Sequence, residues 1–400
     1  MKNLKLFIKL ILLIINNVIL IPFNLFKIFF FLKKKKNIFL QNEGGFGHSI
    51  TSPLVLNNYF GENWSLLFSY YYKRHNKNVD KIFSNLIFLN VAIFPVNSYL
   101  SNKIAFKVYY FFIKYILKKK VNYIQDFYNQ LPVSKENMQN KTIKDCMVRS
   151  KLYWQMGEKK FKFIKNINFS KNSNFEKLLD EKKKILNFSL RYKDCKSNIG
   201  EIGRDSKKLD FYKNALLRAV DNNWFIMLSG DVKKVPSWVI DNDNIYYYGK
   251  TKLDLNYFNF LSGIKSTACI GPHSGSLLYN VARKTSCLVL EHSFLGDVMP
   301  NSIVSYKNLE NRILEKFKSI FLNYEFLKTD SYKKFNNYFR SLTQKESDEI
   351  INEFLDNHQN NDFGIDVRDI GINQGLFLSS NSKLSPAWVK QNFDIISKIS

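Results

Sequence analysis

Residues 269–276 read Cys269-Ile270-Gly271-Pro272-His273-Ser274-Gly275-Ser276: an apolar run that stops at a glycine and opens into a helix-forming segment. Small residues at such a junction let backbone amides approach a ligand. The first turn of the helix adds unpaired N–H groups and a partial positive charge, which suit a diphosphate. A plain N-cap by Ser274 fits the same spacing. A strand that turns through glycines into a helix is the repeating unit of a parallel α/β sheet, and ligands of such sheets sit at the carboxyl ends of the strands.

Working outward, strands are predicted at 184–192, 224–229, 245–248, 267–271 and 286–290, with helices at 207–221, 254–262 and from near Ser274. This alternation predicts a second-half parallel sheet with both faces covered. Upstream, an apolar strand over Ile38–Gln41 runs into Glu43-Gly44-Gly45-Phe46-Gly47-His48-Ser49, the opening of another α/β unit. A further β-like run lies at 86–94 and a helical, aromatic and basic stretch at 99–130, whereas 132–180 lacks clear periodicity. The expected organisation is a membrane-associating segment at 1–36, a Rossmann-like domain at 37–150 and a crossover at 151–183. A second Rossmann-like domain at 184–330 and C-terminal helices with a tail at 331–400 complete it. At 400 residues, two domains of ordinary size are the natural expectation.

The chain carries 60 Lys and Arg against 34 Asp and Glu, a formal charge of +26. Such a charge points to phosphate-rich partners. Lys, Asn, Ile, Phe and Tyr are abundant together and share A/T-rich codons, so a solvated lysine-rich exterior fits equally well. Cys146, Cys195, Cys269 and Cys287 form no CxxC pair and suggest neither a zinc site nor a disulfide framework.

Residues 4–32 are dominated by Leu, Ile and Phe and are closed by Lys33–Lys36. The uncharged stretch Leu10–Phe26 contains Asn16, Asn17, Pro22 and Asn24, which is poor for a span of about 20 apolar residues. An interfacial helix with snorkelling lysines is expected over a single transmembrane anchor. Lysines next to a membrane favour the cytoplasmic leaflet and its anionic lipids, which places the body of the protein at the cytoplasmic face of the inner membrane.

Other residues carry possible chemistry. Arg191 ends one strand, and Gly203-Arg204-Asp205 follows, so two guanidinium groups can fork onto phosphate oxygens with Asp205 pairing either. Gly44, Gly45 and Gly47 form a loose phosphate or acceptor loop, and Glu43 or His48 is placed to take a proton from an acceptor hydroxyl. Ser229-Gly230-Asp231 reads as a strand-end turn that can face a nucleotide, and Glu291 lies where a carboxylate meets a ribose hydroxyl. Asp241-Asn242-Asp243 reads as a turn, Tyr246–Tyr248 as packing residues, and His75 and His358 show no metal spacing, so no metal ligand is assigned.

Arg191-Tyr192, Gly203-Arg204-Asp205, Tyr212–Leu216, Met227–Gly230 and Gly271–Gly275 together resemble a family of glycosyltransferases found with bacterial surface-polysaccharide genes, distantly heptosyltransferase-like. Ser347–Phe354 and Leu384–Ala387 resemble that family's ending. The strongest similarity covers about 184–292. The resemblance implies a GT-B architecture with the donor nucleotide on the second domain, and Arg191, Arg204, Ser274 and Gly275 as diphosphate contacts. His273 and Ser276 flank them, and Asp205, Gly230 and Glu291 complete the expected donor site. His273 departs from the pattern, which usually has an acidic residue at that place.

The implied activity is metal-independent transfer of a sugar from a nucleotide diphosphate donor to a glycan or lipid-linked acceptor, with no cofactor beyond the nucleotide sugar and no nucleic-acid partner. Two alternatives remain: a non-catalytic basic protein binding nucleic acid or a membrane surface, and a two-domain epimerase-type enzyme on nucleotide sugars.

Overall fold

The computed structural model describes residues 2–32, 37–41, 48–70, 82–90, 98–131, 155–156, 173–191, 206–230, 232, 234–272, 277–292, 299, 301–306, 308–309, 339–360, 362–366, 369 and 382–397. The chain divides into two compact units, Met1–Leu131 and Pro132–Ser400, each built on its own parallel sheet.

The first unit runs α1 (Lys2–Phe31), β1 (Asn37–Gln41), α2 (His48–Phe60), β2 (Trp64–Tyr70), β3 (Leu86–Asn90), α3 (Ser98–Phe111), a π-helical turn over Phe112–Ile116, β4 (Val121–Tyr123) and α4 (Ile124–Gln130). Its four strands lie in the order β3-β2-β1-β4, all parallel. Both faces are covered, which is why strands such as β1 read as unbroken apolar runs. The strand β2, WSLLFSY, falls where the sequence analysis places none. The helical stretch expected over 99–130 is interrupted. Lys118 takes a φ of 51°, a left-handed conformation that ends the helix, and the chain forms β4 before resuming as α4.

The second unit runs α5 (Asn174–Glu181), β5 (Ile185–Leu190), a 3-10 turn at Leu209–Tyr212 entering α6 (Lys213–Asp221), β6 (Phe225–Gly230), α7 (Ser237–Ile240), β7 (Ile245–Tyr247), α8 (Leu255–Lys265), β8 (Ala268–Gly271), α9 (Leu278–Ala282), β9 (Ser286–His292) and β10 (Ser302–Tyr306). After these come β11 (Asn308–Leu309), β12 (Phe339–Arg340), α10 (Gln344–Asn357), β13 (Lys383–Leu384), α11 (Pro386–Gln391) and α12 (Phe393–Ile396). Beyond residue 306 the sequence reads as helices followed by a tail, but the described residues there also include strands: β11 pairs antiparallel with β12, and β13 joins the main sheet.

The seven-stranded sheet has the order β7-β6-β5-β8-β9-β10-β13, all parallel. Counted from β5, its first six strands follow the 3-2-1-4-5-6 order of a doubly wound dinucleotide-binding sheet. Sequence-local signals support the frame. Asp254 caps α8 by accepting from the amides of Asn256 and Tyr257 at 3.0 and 3.1 Å, and Thr343 and Glu346 form a reciprocal capping box on α10. Asp241-Asn242-Asp243 is the expected turn, fastened by Lys250, whose ammonium donates to the carbonyls of Val239, Asn242 and Ile245 at 2.7–2.9 Å. Tyr246 packs between Phe175 and Phe225, with ring centroids 5.2 and 5.0 Å away. Cys269 and Cys287 are buried register partners on β8 and β9, and burial pushes the Cys269 thiol up, so it behaves as a small hydrophobe.

Candidate functional site

In the second unit the strand order reverses between β5 and β8: the chain leaves β5 to build β6 on one side and later returns to build β8 on the other. At such a switch point the connecting segments part, leaving a crevice outside the carboxyl ends of the two strands. Arg191 directly follows β5, and Gly271 ends β8, with Pro272 next. The structure thus sets two of the sequence-predicted segments on either side of the crevice.

Arg191 is half-buried and held at its backbone. Its N–H donates to the Ser206 hydroxyl at 3.0 Å, and its carbonyl accepts from the Ser206 N–H at 2.6 Å. These two bonds bring the chain back to the end of β5 immediately after Asp205. Ser206 was not singled out in the sequence; a serine one residue past Gly203-Arg204-Asp205 carries no distinctive spacing.

Beneath the switch point lies a chain of buried amides and hydroxyls. Ser229 on β6 donates to Asn187 Oδ1 at 2.6 Å, Asn187 on β5 donates to Asn280 Oδ1 on α9 at 2.8 Å, and Asn280 donates to the Ser266 hydroxyl at 2.5 Å. Asn187 and Asn280 are 1% and 0% exposed, so these bonds act without solvent screening. They tie β6, the switch strand β5 and the helix that follows residues 271–276 into one rigid base. Ser229 is consumed by this network and does not face a ligand. Asn187 was legible in principle, since an asparagine inside the apolar run ILNFSL needs a buried partner.

Two glycines shape the crevice walls. Gly230 closes β6 with φ +82°, and a Cβ there would lie 2.1 Å from the Leu190 carbonyl oxygen. Its N–H donates to Asn259 Oδ1 at 3.0 Å, and Val232 N–H returns to the Gly230 carbonyl at 3.1 Å, the strand-end turn expected from the sequence. Gly271 passes close to β5: a Cβ there would meet the Ser189 carbonyl oxygen at 2.8 Å.

Glu291 lies at the carboxyl end of β9, 8% exposed and with φ +52°. Its carboxylate accepts the Leu342 backbone N–H at 2.8 Å, which ties the segment entering α10 to the sheet edge. Arg283, next to the network helix, is structural: its guanidinium donates to the Ile264 carbonyl at the end of α8.

In the first unit the order likewise reverses between β1 and β4. His48 is the first residue of α2. Glu43, Gly44, Gly45 and Gly47 lie outside the described residues, as do Arg204, Asp205, His273, Ser274, Gly275 and Ser276.

No protein-family model and no curated protein sequence matches the chain. Among solved structures, it is similar to a glycosyl transferase family 9 protein from Veillonella parvula DSM 2008, at 10% identity and a TM-score of 0.41 over 80% of this chain and 97% of that one. It is also similar to a UDP-N-acetylglucosamine 2-epimerase, at 13% identity and a TM-score of 0.32 over 82% of this chain and 96% of that one.

Proposed function

We propose that the chain is a glycosyltransferase of GT-B type that moves a sugar from a nucleotide diphosphate donor to a glycan or lipid-linked acceptor of surface polysaccharide or lipopolysaccharide, working at the cytoplasmic face of the inner membrane. The observation that carries the reading is the 3-2-1-4-5-6 sheet with Arg191 and Gly271 on the two sides of its switch point. That crevice is where an α/β sheet receives a nucleotide, and an arginine with a glycine-lined loop is what a pyrophosphate needs.

In the reaction the acceptor hydroxyl oxygen bonds to the anomeric carbon while the bond from that carbon to the donor's diphosphate oxygen breaks. Negative charge grows on the departing diphosphate. Arg191, Arg204 and the amides of residues 274–276 neutralise it, and fixed charge of this kind commonly supplies more of the rate enhancement than any other single effect. Glu43 or His48 takes the acceptor proton. No metal ion is assigned to the step, so a chelator is expected to leave the rate unchanged.

The test has two stages. A thermal-shift screen with nucleoside diphosphates identifies the base, because a ligand that binds only the folded chain raises its apparent stability by mass action. Release of that diphosphate from the matching nucleotide sugar is then followed with and without acceptor extracts. Acceptor-dependent release supports transfer; release without acceptor, or sugar epimerisation, overturns it.

A further inference from the structure

The burial pattern of α1 is inverted relative to a helix on a water-soluble protein. The side it turns inward carries Leu13, Asn16, Asn17, Leu20, Asn24 and Ile28, half of them asparagines and none more than 9% exposed. From Leu10 to Phe31 the side it turns outward is apolar, with Ile14, Val18, Phe23, Phe26 and Phe30 between 53% and 67% exposed. In water the polar stripe faces out and the apolar one in. Summed over the helix, the exposed apolar surface is on the order of 1,000 Å², against a few hundred on an ordinary monomer.

The buried asparagines show what α1 lies against. Asn16 donates to the Ser101 hydroxyl at 2.9 Å and Asn24 to the Tyr109 hydroxyl at 2.7 Å. Both pairs are separated by 85 residues in the chain, so α1 and α3 run side by side in the same direction. Ser101, Ala105 and Tyr109 form the stripe of α3 turned towards α1 and the core. One step round α3 comes a second apolar row, Leu100, Ile104 and Phe111, 41–56% exposed. Beyond it, on the flank away from α1, come the exposed Lys103 and Lys107 of α3, followed by the exposed Lys114 of the π-helical turn that continues it. The face thus passes from the apolar side of α1 to the apolar row of α3 and ends in a line of cations.

The inner side of α1 is part of the core of the first unit. Ile28 and Leu32 share one apolar cluster with Ile38 and Leu40 of β1, Leu67 of β2 and Leu89 of β3. Lys27 donates to the Phe88 carbonyl of β3 at 2.8 Å. A helix held this way over its second half cannot be ringed by lipid there. With the offset of 85, α3 begins beside residue 13 (98 − 85), so only residues 2–12 of α1 run past it. At 1.5 Å per residue that overhang is about 16 Å, roughly half the thickness of a hydrocarbon core.

From this we infer that α1 and α3 form one membrane-embedded face, lying in the plane of a single leaflet of an anionic bilayer. The outward rows of both helices enter the acyl region, and Lys103, Lys107 and Lys114 meet the lipid phosphates. The inference rests on the membrane part of the function proposed above and sharpens it: the anchor is two helices of the folded unit, and it does not span. The exposed Tyr115, with the Lys114 ammonium 5.4 Å from its ring centroid, sits on the same face as an amphipathic side chain of the kind found at headgroup level.

The experiment uses the full chain and sedimentation with vesicles of phosphatidylcholine alone or with added phosphatidylglycerol. Wild type is expected to partition onto the anionic vesicles. Leu100→Gln, Ile104→Gln and Phe111→Gln together are expected to weaken that partition at least about tenfold. Replacing Lys103, Lys107 and Lys114 by Gln is expected to remove on the order of a hundredfold of the preference for anionic lipid. All six side chains are exposed, and circular dichroism melts matching wild type show that the variants fold. Lys9→Cys, in a chain with Cys146 and Cys195 replaced by Ser so that the remaining native thiols are the buried Cys269 and Cys287, is expected in vesicle-bound protein to react with an impermeant maleimide added outside. If wild type binds vesicles but the α3 variants bind equally, or Cys at residue 9 is shielded until the vesicles are lysed, the two-helix face is wrong while membrane association stands. If wild type ignores lipid and instead forms a dimer that the α3 variants dissociate, a second copy covers the face, and both the inference and the membrane reading fail.

Discussion

Asn187 on the switch strand β5 donates its side-chain amide to Asn280 on α9 at 2.8 Å while accepting from Ser229 on β6 at 2.6 Å. One side chain therefore fixes the helix after the glycine loop to β5, which borders the crevice, and to its neighbour β6. Asn187→Leu keeps the branching of the side chain, in a bulkier form, but strands the Ser229 hydroxyl and the Asn280 carbonyl. A loss of about 2–4 kcal/mol is expected, since each unsatisfied buried group costs about 1–3 kcal/mol. The shift of the urea midpoint measures it; a midpoint within error of wild type would show that the network does not hold the crevice together.

Arg191 and Ser206 allow the phosphate reading to be separated from a purely structural one. Arg191→Ala is expected to weaken nucleoside diphosphate binding about 10- to 100-fold, the equivalent of one or two charge-assisted bonds, with the melting temperature of the unliganded protein nearly unchanged. Ser206→Ala removes only the bond that its hydroxyl accepts from the Arg191 N–H. Its expected effect is smaller, about threefold on donor KM with kcat retained, as for loosened positioning. Isothermal titration and steady-state kinetics give both numbers, and equal donor affinity in wild type and Arg191→Ala would sink the assignment.

At Gly230, φ +82° and a would-be Cβ 2.1 Å from the Leu190 oxygen leave no room for alanine. The register pair Leu190–Gly230 would have to separate at the mouth of the crevice. Gly230→Ala is expected to destabilise the second unit by more than about 2 kcal/mol, read from chemical denaturation.

Glu346 connects acid stability to the segment entering α10. The Arg340 guanidinium, hydrogen-bonding it at 2.7 Å, is the main reason its carboxyl is held down at about 2, below the usual 4.5; the Thr343 backbone and hydroxyl help, against some desolvation. A folded-state value below the unfolded one means the stabilisation is complete above about pH 4.5 and drains away as pH falls towards about 2. Melting temperatures of wild type and Glu346→Gln should therefore differ at pH 6 and converge as the pH approaches 2. A gap that persists unchanged at low pH would assign the effect to packing instead.

The second sheet was largely legible because its strands are short apolar runs bounded by glycine or polar turns: β5, β6, β8 and β9 start or end within a few residues of where ILNFSL, WFIMLS, ACIG and SCLVL place them. β2 was not, since WSLLFSY carries neither strict alternation nor a strong flanking turn pair. β13 is two residues long, and pairing with β10 on one side and with Ile365 on the other makes it a strand. At the site, residue types announced Arg191 and Gly271. Asn187 stands out as an asparagine in an apolar run, but the pairings that fix the site, Arg191 with Ser206 and Asn187 with Ser229 and Asn280, span 15, 42 and 93 residues of sequence, beyond the reach of any local pattern. The inward orientation of Asn16 and Asn24 was equally hidden: the sequence shows three asparagines as blemishes in an apolar run, whereas the fold uses at least two of them as ties to α3.

Because Ile28 and Leu32 complete the same core as Leu40 and Phe106, the greasy leader cannot be trimmed like a tag. Cutting the chain at the lysines after residue 32 would open a hole beneath β1 and invite aggregation of the remnant, whereas a soluble version is better sought by repainting the outward side of α1 with polar residues and leaving its inward side untouched.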